Sequence, residues 1–244
     1  MQKETANTWY SSWFDTPYYH ILYKDRNIVE AEGFMQRLTT FLQLKEGNTI
    51  LDLACGKGRH SLSLSKMGFD VTGVDLSEKS IKHAKQFETS TLHFKVHDMC
   101  FPYPKKFDAV FNLFTSFGYF EDELDNIRTI RAIKEELKAT GHAVIDFMNV
   151  NYVMNNLVPS ETKTIQGITF IIERYVENKH IVKTISFTHD NKPYHFVERV
   201  KAITLEDFES YFKSVGLTLR HCFGSYNLDP FDKSTSDRLI LIFN

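Results

Sequence analysis

Cysteine is scarce in this chain, and neither sign of charge dominates. Cys55, Cys100 and Cys222 are the three cysteines in 244 residues. They form no disulfide framework and no metal-ligand spacing, so a reducing cytoplasm is expected and no metal is predicted. His93 and His97 lie four apart on a predicted strand, with no third ligand nearby. Lysine and arginine number 29 against 31 aspartates and glutamates, a formal net charge of -2. The signs are interspersed, which leaves no electrostatic footprint for a nucleic acid or an anionic membrane. No run of about 18 apolar residues is present to span a bilayer. The opening "MQKETANTWY" lacks the apolar stretch of a secretory signal. Internal repeats, low-complexity tracts and charge-run linkers are absent too.

What is present is a change of hydrophobic period along the chain. Aromatics crowd "WYSSWFDTPYYHILYKDRN", read as an irregular or short-helical cap. Ile28, Ala31, Met35, Leu38 and Leu42 follow one helix face, and Glu46-Gly47-Asn48 breaks it. "TILDLAC", "DVTGVDL", "LHFKVHD", "FDAVFNLF" and "HAVIDFM" read as strands. Between them, "RHSLSLSKMG" is taken as a helix capped by Gly68. Ser77 is the expected N-cap of a helix turning Ile81, Ala84 and Phe87 inward. Asp122 to Lys138, with Leu124, Ile127, Ile130, Ile133 and Leu137 at the spacing of one helix face, is a third helix, stopping at Gly141. Strands alternating with helices predict βαβ units and a mostly parallel sheet. From Thr162 to Ile203 the helix period vanishes and a small antiparallel meander is expected. The α/β rhythm then resumes with a helix from Thr204, where Thr204 and Asp207 resemble a capping box, to Gly216. Two closing strands follow. The predicted organisation is a cap or lid over residues 1–27, a core over 28–160 and 204–244, and an inserted meander over 161–203.

The stretch "ILDLACGKGRH" carries the chemistry. A strand running into a glycine-bearing turn and then a helix presents free backbone amides at the positive end of that helix. Asp52, Asp75 and Asp98 fall near the carboxyl ends of consecutive strands, the ligand-binding edge of an open parallel sheet. Asp75 suits vicinal ribose hydroxyls and Asp98 an exocyclic adenine amine. A dinucleotide loop needs G-x-G-x-x-G, but that phase reads Ala54, Gly56 and Arg59 here, so two of its glycines are missing. Asp52 would serve a pyrophosphate poorly. It suits the ammonium of S-adenosylmethionine, whose carboxylate the loop amides can hold.

Through "LDLACGKGRH", "VTGVDLS", "VHDM", "FDAVFNLFTSFGYF", "GHAVIDFMN" and "RLILIF", the chain resembles class I S-adenosylmethionine-dependent methyltransferases, particularly bacterial small-molecule types. The likeness runs from about Thr49 to the C-terminus, interrupted by the meander. It implies a Rossmann-like seven-stranded, mostly parallel sheet with helices on both faces and the last strand antiparallel. It also implies S-adenosylmethionine as cofactor. By position, Asp52, Ala54, Cys55, Gly56 and Gly58 match the loop around the methionine moiety. Ala54 stands where many members have glycine, and Cys55 reads as a small buried filler. Asp75 matches the ribose-binding acid, with Leu76 beside the adenine; Asp98 and Met99 match the adenine-edge contacts; Asn112 and Leu113 end the fourth strand, where cofactor and substrate meet. Tyr19 and Arg26 are candidates for a lid contact to the cofactor.

Phe117, Tyr119 and Asn149 are candidates for lining the substrate pocket. Against a lid stands the plainer reading that Trp9, Tyr10, Trp13 and Phe14 pack a terminus onto the domain. His60 is read as a helix N-terminal residue, with a substrate role open. Because the sulfonium already activates the methyl group, positioning suffices and no general base can be read from spacing. The fourth strand reads "NLFTSF" rather than Asn-Pro-Pro-aromatic, which argues against methylation of nucleobase or glutamine amines. The expected activity is methyl transfer to an O or N atom of a small molecule. The rivals are a tRNA-modifying enzyme of the same superfamily, a non-catalytic S-adenosylmethionine-binding protein and, more distantly, a dinucleotide dehydrogenase. The meander could be a lid or a homodimer contact.

Overall fold

The computed structural model describes residues 13–23 and 28–244. Arg26, Trp9 and Tyr10 lie outside the described residues. Two compact units emerge: one joins the N-terminal segment to Val153–Ala202, and the other comprises Asn27–Tyr152 with Ile203–Asn244.

The larger unit is doubly wound. In chain order, α1 (Pro17–Leu22) belongs to the smaller unit. The larger begins with α2 (Ile28–Phe41), β1 (Thr49–Leu53), α3 (Arg59–Lys66), β2 (Asp70–Asp75) and α4 (Glu78–Ala84). β3 (Leu92–Val96), β4 (Phe107–Asn112), α5 (Glu123–Glu136), β5 (Leu137–Met148) and α6 (Val150–Asn155) follow. After the smaller unit's β6 (Ser160–Ile165), β7 (Ile168–Glu177), β8 (His180–His189) and β9 (Lys192–Lys201), the chain returns as α7 (Leu205–Val215), β10 (Leu219–Phe223) and β11 (Arg238–Phe243). The sheet order is β10-β11-β5-β4-β1-β2-β3. β1 to β5 pair in parallel, and β11 is antiparallel to both its neighbours. This is the seven-stranded arrangement expected from the sequence.

Both sheet faces are covered, which is why the strands read as nearly continuous apolar runs. Ile50, Val71, Phe94, Phe111 and Ile240 meet Phe34, Met35 and Leu38 of α2, Leu64 of α3 and Ile81 of α4. On the other face the α7 rings pack on the strands, Phe212 at 4.1 Å from Phe243 and Phe208 at 5.5 Å from Phe147. The caps follow expectation: Ser77 accepts from the Ser80 amide, and Thr204 with Asp207 forms a reciprocal capping box.

Three local expectations fail. Phe87 falls in a 3-10 turn and is 41% exposed, so only Ile81 and Ala84 of its trio are core. Leu124 is 55% exposed, on the solvent side of α5. Gly141 is not the stop of α5: the helix ends at Glu136 and β5 starts at Leu137. The glycine lies inside β5 because a Cβ there would come within 2.9 Å of the Phe107 carbonyl oxygen.

The smaller unit is an antiparallel sheet in the order β6-β7-β8-β9. Its hairpins turn at Gln166-Gly167, Asn178-Lys179 and Asp190-Asn191, all six residues at positive φ. Two-residue turns of this hand match the strand twist, which fixes the register. One face carries Ile168, Phe170, Ile172, Ile185 and Phe187, covered by Trp13 and Leu22. The Trp13 indole donates to Glu198 at 2.7 Å. The N-terminal aromatics that are described therefore pack on this sheet.

Candidate active site

The carboxyl ends of β1, β2, β3 and β4 share one edge of the larger sheet. Between β1 and α3, Ala54, Gly56 and Gly58 adopt left-handed φ values of 60°, 56° and 85°. The two glycines serve different ends. A Cβ at Gly58 would lie 2.6 Å from the Phe94 ring, so Gly58 lets α3 close onto β3. A Cβ at Gly56 would meet no atom of the described residues within 4 Å. Ala54 bears the left-handed conformation without glycine's freedom, at roughly 1–2 kcal/mol.

Asp52, inside β1, is 1% exposed and accepts a 2.5 Å hydrogen bond from the Ser61 hydroxyl. Burial pushes its carboxyl up to about 7, against the opposing pull of the Ser61 hydrogen bonds. Among the described residues no lysine or arginine pairs with it. Cys55 is buried beside it, and burial holds its thiol well above the ordinary range. That environment leaves an inert filler.

Asp75 ends β2. One carboxylate oxygen accepts from the Gly56 amide and the other from the Ser77 amide, both at 2.8 Å. The Gly56 amide, expected to meet a ligand carboxylate, is thus engaged by Asp75, which braces the loop onto the start of α4. Each oxygen keeps acceptor capacity for a hydroxyl. Leu76 follows, 49% exposed. Asp98 caps its own turn, accepting from the Cys100 amide at 2.9 Å. Asn112, fully buried at the end of β4, donates to the Leu53 carbonyl at 3.2 Å and approaches the Met99 sulfur at 3.7 Å. Its Oδ1 is buried with no hydrogen-bond partner among the described residues. Leu113, 3% exposed, follows it.

A second group stands past the ends of β4 and β5, and the sequence reading missed it. Asp146 of β5 is buried against Arg238 of β11, with Nη2 to Oδ1 at 2.5 Å and Nε to Oδ1 at 2.8 Å. Its other oxygen accepts from the Phe114 amide at 2.8 Å and the Tyr226 hydroxyl at 3.1 Å. Phe114, Tyr226, Arg59, His60, Glu30, Ala31 and Phe34 enclose a cavity of about 10 Å³. Arg59 lies over the Phe114 ring at 5.0 Å and reaches the His60 imidazole at 3.1 Å. The "RH" after the glycine loop was the available signal; His60 lies in the first turn of α3, as read, and also lines this cavity.

The substrate candidates scatter. Phe117 is fully buried, 5.4 Å from the Phe208 ring, and presents no surface to a pocket. Asn149 is 1% exposed; its side-chain amide donates to the Lys233 and Ser236 carbonyls at 3.0 and 2.8 Å, which pins the loop before β11. Phe117 thus packs in the core, and Asn149 anchors a loop. Tyr119 is half-buried. Tyr19 lies in the smaller unit among Trp13, Phe14 and Tyr23.

Known proteins bear on this geometry. A family model described as a methyltransferase domain matches residues 50–141, which span the loop, Asp75, Asp98 and Asn112. That match and the relatives that follow support a class I S-adenosylmethionine-dependent methyltransferase. Over 80% of its length it is 27% identical to YqeM of Bacillus subtilis, named as a methyltransferase, and spans 83% of that protein. Over 41% it is 34% identical to a dTDP-amino-sugar N,N-dimethyltransferase of Streptomyces venezuelae, spanning 43% of it. An S-adenosylmethionine-dependent methyltransferase structure from Clostridium acetobutylicum superposes with TM-score 0.79 at 21% identity, covering 93% of this chain and 95% of that one. The methyltransferase's cofactor is S-adenosylmethionine, and the buried Asp52 carboxyl and the unpartnered Asn112 oxygen fit a cationic, donor-bearing ligand.

Proposed function

We propose that this methyltransferase transfers a methyl group to an O or N atom of a small molecule at the edge formed by β1, β2, β4 and β5. The observation that carries the reading is Asp52: a buried acid with no cationic side chain paired to it among the described residues, beside a loop braced by Asp75. Asp52 would receive the ammonium end of the cofactor, Asp75 the ribose hydroxyls, and Asp98 with Met99 the adenine edge. When bound, S-adenosylmethionine supplies a methyl group already activated by its sulfonium. The protein's task is then to hold an acceptor in line and exclude water, which can contribute roughly 7–11 kcal/mol of barrier lowering. A small-molecule acceptor is supported by the likeness to the dTDP-amino-sugar dimethyltransferase.

Calorimetry with S-adenosylmethionine and S-adenosylhomocysteine tests the cofactor site. Asp75→Ala should weaken binding through loss of charge-assisted hydrogen bonds, about 1.5–3 kcal/mol each. Unchanged affinity in a folded variant would remove Asp75 from the site. A radiolabelled transfer screen over amino sugars, amino acids and phenols tests the acceptor class, and transfer only to RNA or protein would overturn it.

A further inference from the structure

The chain leaves β4 through an unusual turn. Phe114 and Thr115 are consecutive, carry side chains, and both hold left-handed φ values, 61° and 59°. Neither is glycine or asparagine, so both residues are strained there, the Cβ crowding the following carbonyl oxygen. Such strain persists only where surrounding structure over-determines it, and it concentrates at functional sites.

The over-determination is visible and converges on one residue. The Phe114 amide donates to Asp146 Oδ2 at 2.8 Å, and the Thr115 amide donates to the Asp146 carbonyl at 2.9 Å. Arg238 donates to Asp146 Oδ1 and, at 3.1 Å, to the Thr115 hydroxyl. The Tyr226 hydroxyl completes the set on Asp146 Oδ2, while its ring packs on Phe34 at 4.6 Å. Burial alone would lower the Arg238 pKa, but the facing Asp146 charge raises it. A fold needing only a stable β5–β11 contact could place apolar residues here at little cost. This network instead spends its hydrogen bonds on two strained backbone amides beside the Phe114 ring.

We propose that Asp146 is a positioning residue for methyl transfer. With Arg238 and Tyr226 it locks the Phe114–Thr115 turn and so fixes the Phe114 and Tyr226 walls, under Arg59, of the acceptor half of the site. The assignment to the acceptor half rests on the functional reading above. The locking of the turn does not.

The test is hydrogen exchange on the purified chain, with S-adenosylhomocysteine calorimetry on the same samples. Tyr226→Phe keeps the ring and removes one hydrogen bond to Asp146. It should speed exchange of the Phe114 amide about tenfold, leave strand peptides such as 107–112 unchanged, and leave S-adenosylhomocysteine affinity within about threefold. Adding Thr115→Asn, a residue that tolerates the left-handed region and keeps an acceptor for Arg238, should restore most of the protection. Asp146→Asn should show a larger local effect if it folds; the Tyr226 variant decides the matter if it does not. Unchanged exchange at Phe114, or an equal rise across the whole sheet, would overturn the locking role. A tenfold loss of S-adenosylhomocysteine affinity would overturn the acceptor-side assignment. If the parent chain binds no S-adenosylhomocysteine, the functional reading falls with that assignment, while the exchange result still judges the turn.

Discussion

The two sides of the candidate site hold left-handed backbone by different means. Beside β1, the bend runs through Ala54, Gly56 and Gly58, and two of the three are residues for which positive φ is cheap. Beside β4, Phe114 and Thr115 take the same conformation with full side chains, because Asp146, 32 residues on, accepts from the first of their amides. The two buried acids differ in parallel. Asp146 has its cation in Arg238, whereas Asp52 has Ser61 and no paired cation among the described residues. One acid has its counter-charge within the protein; the other has none paired to it among the described residues.

The sharpest way to break the comparison is to remove the internal cation. Arg238→Met keeps an unbranched apolar stem but leaves Asp146 buried without its partner. Unfolding in urea should show a loss of about 3–5 kcal/mol. A loss under 1 kcal/mol would mean that Asp146 holds its turn without the ion pair.

Asp52 should show the opposite character as pH changes. Its folded pKa, raised to about 7 from 3.8, exceeds its unfolded value. Between about pH 4 and 7 the folded chain therefore keeps a proton that the unfolded chain has lost, and stability falls as pH rises through that window. Glu136, pushed up to about 8 by burial, acts in the same sense and extends the decline. Asp52→Asn should remove its part of the slope, up to about 4 kcal/mol across the window, and leave that of Glu136. An unaltered slope would show that Asp52 is ionised throughout. S-adenosylmethionine binding at pH 7 should release about half a proton in the parent and none in Asp52→Asn, read from calorimetry in buffers of different ionisation enthalpy.

Gly58→Ala tests whether the glycine is structural on the β1 side. It adds a Cβ that would meet Phe94 at 2.6 Å, in a left-handed position. Thermal or urea unfolding should show a loss of about 2–3 kcal/mol, from overpacking together with backbone strain. The same change at Gly56 meets no neighbour and should cost less.

How far the sequence revealed each side follows from the same contrast. The sheet was legible because apolar runs, helix periods and caps such as Ser77 and Thr204 are local signals. The β1 side was legible because glycines and strand-end acids cluster within a few residues. Gly141 misled because a glycine after a helix resembles a stop, and only the nearby Phe107 carbonyl shows otherwise. Asp146, Arg238 and Tyr226 raised no flag, since the first two stand 92 residues apart and each looks ordinary in its own strand or loop. Asn149 suggested a pocket because the loop it pins, ending at Ser236, is remote in sequence.

The mildest expected effect returns to Ala54, where the β1 side borrows the β4 side's habit of placing a side chain in the left-handed region. Among the described residues no long-range acid accepts from its amide, so the strain should be recoverable by substitution. Ala54→Gly removes the steric cost of φ 60 but adds unfolded-state entropy. The net gain should be about 0.5–1 kcal/mol in urea unfolding. Thr115→Gly, by contrast, also gives up the Arg238 hydrogen bond and should gain nothing. A larger gain at Thr115 than at Ala54 would mean that the Asp146 network holds the turn no more firmly than the loop holds itself.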